Sequence, residues 1–328
     1  MDPAWALREI AFQLERAGEP TYRVRAFRNA AATVDKTDAS QLASMAENGT
    51  LTSLPGIGKA TAGVIEDALA GRDPAYRSKI VEKKLPDGEP LRSALRGDCH
   101  THSDWSDGGS SIGEMAVAGR DVGHEWMVLT DHSPRLTVAN GLSPDRLRTQ
   151  MQIVAKANEL MAPFRLLHGI EVDILDDGAL DQEDELLGQL DFVVASVHSK
   201  LRMPARDMTR RMLAAVRNPH TRVLGHCTGR LVVGRGRPES EFDAEAVFTA
   251  CRENGVAVEI NSRPERLDPP MRLLKLAAEI GCEFAIDSDA HAPGQLDWQP
   301  YGCERAVKAG IGPERIINTR TAEALLSR

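Results

Sequence analysis

The stretch DFVVASVH, Asp191–His198, decides how the fold is read. It is a short apolar, largely β-branched run that stops at a histidine. Six similar strings recur along the chain: LRGDCHTH at 95–102, WMVLTDH at 126–132, FRLLHGIEVDI at 164–174, RVLGHC at 222–227, VAVEIN at 256–261 and EFAIDSDAH at 283–291. Helix-like segments lie between them. In SPDRLRTQMQIVAKANELM, Ser143 is placed to cap a helix and Pro144 to open it. DAEAVFTACRENG and PMRLLKLAAEIG each stop at glycine. Strand–helix alternation implies βαβ units and a parallel sheet. About seven strands approach the number needed for a closed barrel, which typically takes ~250 residues. A doubly wound open sheet is the alternative, but no G-x-G-x-x-G follows the first strand.

Metal-ligating residue types cluster at the ends of these runs. His100 and His102 end the first and His132 the second; Glu171 sits in the third, and His198 and His226 end the next two. Asp289 and His291 close the last, and Asp107 lies just beyond the first. Alternate strand residues point to one face, so His-x-His presents two imidazoles together. In a parallel barrel all strand C-termini emerge on one face, where barrel enzymes do their chemistry. Nine N/O ligands are more than one ion requires, and imidazole with carboxylate suits Zn²⁺, Mn²⁺ or Fe²⁺. A lone histidine at a strand end is usually an ordinary hydrogen-bonded side chain, and a buried Glu171 could be a salt-bridge partner. Six of the nine histidines share equivalent places, which chance rarely produces. His124, His168 and His220 do not, and are read as structural.

Composition sets the frame. Of 328 residues, 42% are hydrophobic and 27% charged, ordinary for a soluble globular protein. No run of ~18 apolar residues suggests a membrane span, and MDPAWALREIAFQLERAGEP has no apolar signal-peptide core. Five cysteines without C-x-x-C spacing suit free thiols in a reducing cytoplasm. Net charge is −8, which argues against broad nucleic-acid binding. Residues 1–90 hold 12 basic and 13 acidic side chains, leaving 28 against 35 for the rest. The acidic excess therefore lies with the ligand-bearing part.

The N-terminal stretch reads as short helices. Trp5, Leu7, Ile10, Phe12 and Leu14 roughly trace one helical face, and further helices cover Phe27–Val34 and Gln41–Glu47, the latter closed by Asn48-Gly49. LTSLPGIGKATAGVIEDALAG (51–71) is a glycine turn feeding a helix. Gly56 and Gly58 let the backbone approach a phosphate, and Lys59 adds a charge. Such turns also occur without any ligand. These patterns predict a helical domain at 1–85, a Pro/Gly-containing linker at 86–95 and the barrel at 96–328.

The motifs His100-Thr-His102, Thr130-Asp-His132, Gly169-Ile-Glu171, Ser196-Val-His198, Gly225-His226 and Asp289-Ala-His291 resemble those of the PHP (polymerase and histidinol phosphatase) superfamily. WSDG, GIEVDIL, ASVHS, LGHCTGRL and EINSRPERLD look most like the C-terminal PHP domain of bacterial family X DNA polymerases. TYRVRAFRNAA with the glycine turn looks like their N-terminal helix-hairpin-helix domain. The resemblance implies a distorted (β/α)7 TIM-like barrel behind a small all-α helix-hairpin-helix domain. It further implies three divalent ions (Mn, Zn or Fe). His100, His102, Glu171 and Asp289 would hold one, and Glu171 would bridge to a second bound by His198 and His226. Asp107, His132 and His291 would hold the third. Cys227 departs from the proline usual in related polymerases. Asp98 and Asp131 are candidates to orient imidazoles or, equally, turn and cap residues. Lys79, Lys83 and Lys84 lie where some members carry a lyase lysine, without a match that assigns one.

The expected activity is metal-dependent phosphoester hydrolysis by water activated between neighbouring ions. Lys200, Arg230 and Arg266 are candidate phosphate contacts, with solvated surface roles as the alternative. A nucleotidyl-transfer domain separates the two parts in the full-length polymerases, and here no room remains for one, so no polymerase activity is expected. Processing of DNA 3′ ends, as a 3′–5′ exonuclease or 3′-phosphatase, is one reading, with weak and salt-sensitive DNA binding. A small-molecule phosphatase of the histidinol-phosphatase type is the second, and an inert DNA-binding scaffold the third. Oligomeric state stays open.

Overall fold

A computed structural model describes residues 1–327. The chain divides into two compact units, Met1–Lys84 and a second from Leu85 onward.

The first unit is helical: α1 (Pro3–Arg16), α2 (Thr21–Asp35), α3 (Ala39–Glu47) and α4 (Lys59–Leu69). Asp2 caps α1 by accepting from the Trp5 amide at 2.6 Å, and Asp38 caps α3 through Ser40 N at 2.9 Å. The buried face of α1 is Ala4, Leu7, Ile10, Ala11 and Leu14, which pack with Phe27, Ala30 and Val34 of α2. Trp5, expected on that face, is half exposed and lies under the Arg77 guanidinium. Two residues from Leu7 is about 200° around a helix, so Trp5 must point away. Glu15 and Arg28 form a buried bidentate pair at 2.8 and 2.9 Å that locks α1 to α2. The glycine turn is real: Gly56 has φ +77°, open only to glycine at low cost, and the Gly58 amide donates to Thr61 Oγ1 at 2.9 Å.

In the second unit seven parallel strands lie in sequence order: β1 (Gly97–Thr101), β2 (Trp126–Leu129), β3 (Arg165–Asp173), β4 (Phe192–Ser196), β5 (Val223–Leu224), β6 (Ala257–Asn261) and β7 (Phe284–Asp287). α5 (Leu91–Ala94) precedes the first strand; α6 (Ile112–Asp121), α7 (Pro144–Met161), α8 (Asp184–Leu187), α9 (Ala205–Val216), α10 (Ala244–Asn254) and α11 (Met271–Ile280) lie between the strands, with α12 (Gln299–Lys308) and α13 (Ala322–Leu326) after the last. Ser143 accepts from the Arg146 amide at α7, and Gly255 and Gly281 end α10 and α11 with φ +60° and +95°. Part of the expected linker belongs to the barrel: α5 lies in it, and Leu91 and Leu95 are buried in the core.

The barrel closes imperfectly. Between β1 and β7 the parallel pairing is a single bridge, Thr101 to Ala290. Side-chain amides stitch the seam instead. Asn318 Nδ2 donates to Gly97 O at 3.2 Å and Ile286 O at 3.0 Å, and Gln299 Nε2 reaches the same two carbonyls at 3.1 and 3.0 Å. Backbone groups buried in a seam need partners, and these amides supply them where the ladder cannot. This is the physical content of the distortion.

Alternation sorts the strands. Ile170, Val172, Val193, Ala195, Val258, Ile260 and Ile286 join the core shared with Met208, Met212, Phe248 and Leu274 of the helices. Val128, Leu167, Val194, Ala257 and Ala285 belong to a separate cluster of the opposite parity. Stepping two residues at a time from that inner set leads to His132, Glu171, His198, Glu259 and Asp289.

The three histidines read as structural lie outside the ligand array. His220 pairs with Asp184 at 3.1 Å. His124 is buried, which pulls its pKa down to about 3. His168 meets Gln150 Oε1 at 2.9 Å, and burial pulls its pKa down to about 4. His168 is therefore neutral in the fold yet protonates in the unfolded chain near the ordinary 6.5. Its contribution is present above pH 6.5 and lost as pH falls toward 4, amounting to roughly 3 kcal/mol. Urea unfolding of His168→Gln should show a weaker pH dependence than wild type across that window; parallel curves would remove His168 as a source.

Candidate metal centre

The C-terminal strand ends converge on Glu171. Its Oε2 lies 2.8 Å from His132 Nδ1, 3.3 Å from His100 Nε2 and 3.6 Å from His102 Nε2. Its Oε1 lies 3.0 Å from His226 Nε2 and 3.2 Å from His198 Nε2. His291 completes the array: its ring centroid is 4.1 Å from that of His102, and its Nε2 is 3.3 Å from Asp107 Oδ1. Asp289 Oδ1 stands 3.5 Å from His102 Nε2 and 4.0 Å from His100 Nε2. All nine sequence-derived candidates are thus within one neighbourhood.

The donor atoms fall into three overlapping groups able to hold an ion: His100, His102 and Glu171; His132, Glu171 and His198; and His102, Asp107, His132 and His291. All three differ from the division the motifs imply: the first lacks Asp289, and the second and third share His132, which faces Glu171 with one ring nitrogen and Asp107 with the other, at 3.5 Å.

These atoms suit metal ions. Among the described residues, His100 Nε2, His102 Nδ1 and Nε2, His132 Nδ1, Glu171 Oε1, both nitrogens of His198 and His226 Nδ1 are buried without a hydrogen-bond partner. Buried polar atoms are rarely left so, and imidazole nitrogens and a carboxylate oxygen left without partners in one cluster are a ligand set. Burial, then His291 and His132 nearby, holds the His102 pKa well below its usual value, which favours the neutral, ligating ring. Burial opposes charge on Glu171, but His100, His198 and His132 outweigh it and keep the carboxyl well below its normal range.

Three side chains that the sequence reading passed over hold the centre in place. Glu259 Oε1 accepts from His100 Nδ1 at 2.6 Å, which directs the other ring nitrogen, Nε2, at Glu171; its Oε2 accepts the His226 amide at 2.5 Å. Asp173 accepts the His198 amide at 3.0 Å and stands 3.5 Å from His198 Nδ1. Arg263 reaches His291 Nδ1 at 2.9 Å and the Asp289 carbonyl at 3.1 Å. A glutamate inside the otherwise apolar VAVEIN was the available signal for Glu259. Glu259→Gln leaves one oxygen for three donors, the third being Asn261 Nδ2 at 3.2 Å, so metal affinity should fall ~10–100-fold. Competition titration with a zinc chelator measures this; wild-type affinity would reduce Glu259 to a space filler.

Asp98 and Asp131 do not touch imidazoles. Asp98 accepts the amides of His100 at 3.1 Å and Ser288 at 3.2 Å, and so fixes backbone. Asp131 accepts from Ser103 N, Ser103 Oγ and Gln150 Nε2 at 2.8, 2.6 and 2.7 Å, and from Ser106 Oγ, and so anchors the loop that carries Asp107. Cys227 is buried, and burial, then Asp268, raises its thiol pKa well above normal, so it stays a thiol. Of the phosphate candidates, Lys200 pairs with Asp176, and Arg230 donates to the carbonyls of Arg266 and Leu267, so both are committed elsewhere. Arg266 lies at the centre, with Nε 3.2 Å from Asp289 Oδ2. In the first unit Lys59 and Gly58 are exposed at the start of α4, beside Gly56.

A parallel barrel whose strand ends present histidines and carboxylates this way is a protein built to hold divalent metal. A PHP domain family model matches residues 98–263, and a helix-hairpin-helix domain model matches residues 1–73. The chain belongs to the PHP domain family. It is 39% identical over 237 residues to the DNA polymerase/3′-5′ exonuclease PolX of Bacillus subtilis, a match covering 71% of this chain but only 41% of that protein. It is 29% identical over 233 residues to a probable phosphatase of Thermoanaerobacter sp. (strain X514), covering 68% of this chain and 89% of that one. Histidinol phosphate phosphatase of Lactococcus lactis, solved with zinc, L-histidinol and phosphate, aligns over 66% of this chain and 95% of its own at 19% identity, with a TM-score of 0.47. No helix among the described residues is long and apolar enough to cross a membrane.

Proposed function

We propose that this metal-dependent phosphoesterase hydrolyses phosphoesters at DNA 3′ ends, as a 3′–5′ exonuclease or 3′-phosphatase. The observation that carries the DNA reading is the helix-hairpin-helix match at residues 1–73 in the same chain as the metal-ligand cluster. Similarity to the Bacillus enzyme, named for exonuclease activity, supports it.

His100, His102, Glu171 and Asp289 would hold one ion, Glu171 with His198 and His226 a second, and Asp107, His132 and His291 a third. Divalent ions there would supply Lewis-acid charge to a phosphoryl oxygen and lower the pKa of water. The chain's own residues do the rest. Glu171 is 1% exposed, at the covered middle of the cluster, whereas the Asp107 and His291 side chains are 36% and 19% exposed. Substrate therefore approaches from the Asp107–His291 side. Arg266 and Arg263 flank Asp289 there and bring positive charge to an incoming phosphate.

A small-molecule phosphatase is the second reading, supported by the relatives named probable phosphatases. Turnover of 3′-hydroxyl and 3′-phosphorylated oligonucleotides is compared with histidinol phosphate, in Mn²⁺ and in Zn²⁺, for wild type and a Glu171 variant. Preference for oligonucleotides supports the DNA reading; efficient turnover of histidinol phosphate alone overturns it.

A further inference from the structure

We infer that the tip Leu231–Arg237, together with Arg202, forms a contact surface for the nucleic-acid strand whose 3′ end enters the metal centre. This rests on the DNA-end reading above. The tip follows β5 on the ligand-bearing side of the barrel. It is built to hold a shape: Leu231 and Arg237 exchange backbone hydrogen bonds at 3.0 and 2.9 Å, and Arg237 Nε donates to Gly229 O at 2.5 Å. Gly234 and Gly236, with φ +68° and +64°, turn the chain at its end.

The side chains this tip displays face solvent. Val232 and Val233 are 47% and 61% exposed. Arg235 beside them is exposed and has no hydrogen-bonding or ionic partner among the described residues, and neither has Arg202 on the loop after β4. Ser240 Oγ donates to Leu201 O at 2.9 Å and joins the two loops. The tip is also wired to the centre. The Val232 amide donates to Glu265 O at 2.7 Å, the Glu265 carboxylate holds Arg263 at 2.8 Å, and Arg263 reaches His291. A shallow open hollow, lined in part by Val232, Arg237 and Phe242 and also by Glu239 and Glu241, lies against the tip.

The chemistry selects the partner. Unpaired guanidiniums fit backbone phosphates, and adjacent apolar side chains fit the faces of unstacked bases. Two valines offer too little apolar area for a stable protein interface, which buries ~1,200 Å² or more. On a chain of net charge −8, such local cations set where a polyanion can run. A small phosphate monoester needs none of this surface.

Two double variants test it: Val232→Ser with Val233→Ser, and Arg202→Ser with Arg235→Ser. Each is assayed in Mn²⁺ on a 3′-labelled single-stranded oligonucleotide and on p-nitrophenyl phosphate, with thermal unfolding as a control of fold. The expected result is a loss of at least ~10-fold in kcat/KM on the oligonucleotide, with monoester turnover and unfolding midpoint unchanged. In metal-free buffer, the slope of log Kd for oligonucleotide binding against log salt should drop by about 1.4 for the arginine pair. Unaltered oligonucleotide kinetics and salt slope, or equal losses on both substrates, overturn the inference while leaving the DNA reading intact. Wild-type protein that neither binds nor cleaves oligonucleotides overturns both.

Discussion

Glu171→Gln is expected to release metal and stop phosphoester turnover. Five imidazoles lie within 3.6 Å of its two carboxylate oxygens, so it is the one negative charge shared by every group around it. Glutamine keeps the volume and removes the charge, and it places an amide N–H, which cannot ligate, where one oxygen stood. Metal assistance is worth several kcal/mol, and 4 kcal/mol is about a thousandfold in rate, so a loss of that order or more is expected. Elemental analysis after dialysis and turnover of a phosphomonoester are measured side by side. A variant that retains its metal and its rate would separate Glu171 from the centre.

Arg211→Met should cost the barrel about 3 kcal/mol or more. Arg211 is fully buried on α9, and burial is the main cause that lowers its pKa. Its Nε donates to Ile174 O at 2.8 Å and its Nη1 to Ser199 O at 2.9 Å, with Asp173 at 3.9 Å. It thus closes the ends of β3 and β4 just beyond Glu171 and His198. Methionine fills the space but leaves the buried Ile174 carbonyl and the buried Asp173 carboxylate without their cation, and each such loss costs ~1–3 kcal/mol. Urea unfolding should show a lower midpoint at unchanged slope; a shift worth less than ~1 kcal/mol would show that the loop ends are held without it.

Much of the centre was legible because its chemistry is local. A histidine or acid at the end of a β-branched run is a two-residue pattern, and the parallel architecture brings such ends to one face whatever the details of packing. His198 and Asp289 stand at such ends, and Glu171 lies inside the strand whose neighbours converge on it. The residues that position them were harder, because their roles depend on contacts distant in sequence. Glu259 serves His100 across 159 residues, and Asn318 mends a seam with Gly97 across 221. Arg230 shows the same limit: a cation near a strand end reads alike whether it faces substrate or a carbonyl of the next loop.

The sequence by itself therefore determined the strand–helix rhythm, the candidate residues that the fold brings together, the glycine turn before α4 and, through its motifs, the family. Hydrophobic period and residue chemistry are properties of neighbours along the chain. Only the tertiary structure decided that β1 and β7 meet through side-chain amides, that Glu259 rather than Asp98 or Asp131 orients an imidazole, and that His132 faces two ligand groups. Those outcomes depend on which buried donors and acceptors are left over once the backbone has paired, and that is settled in three dimensions.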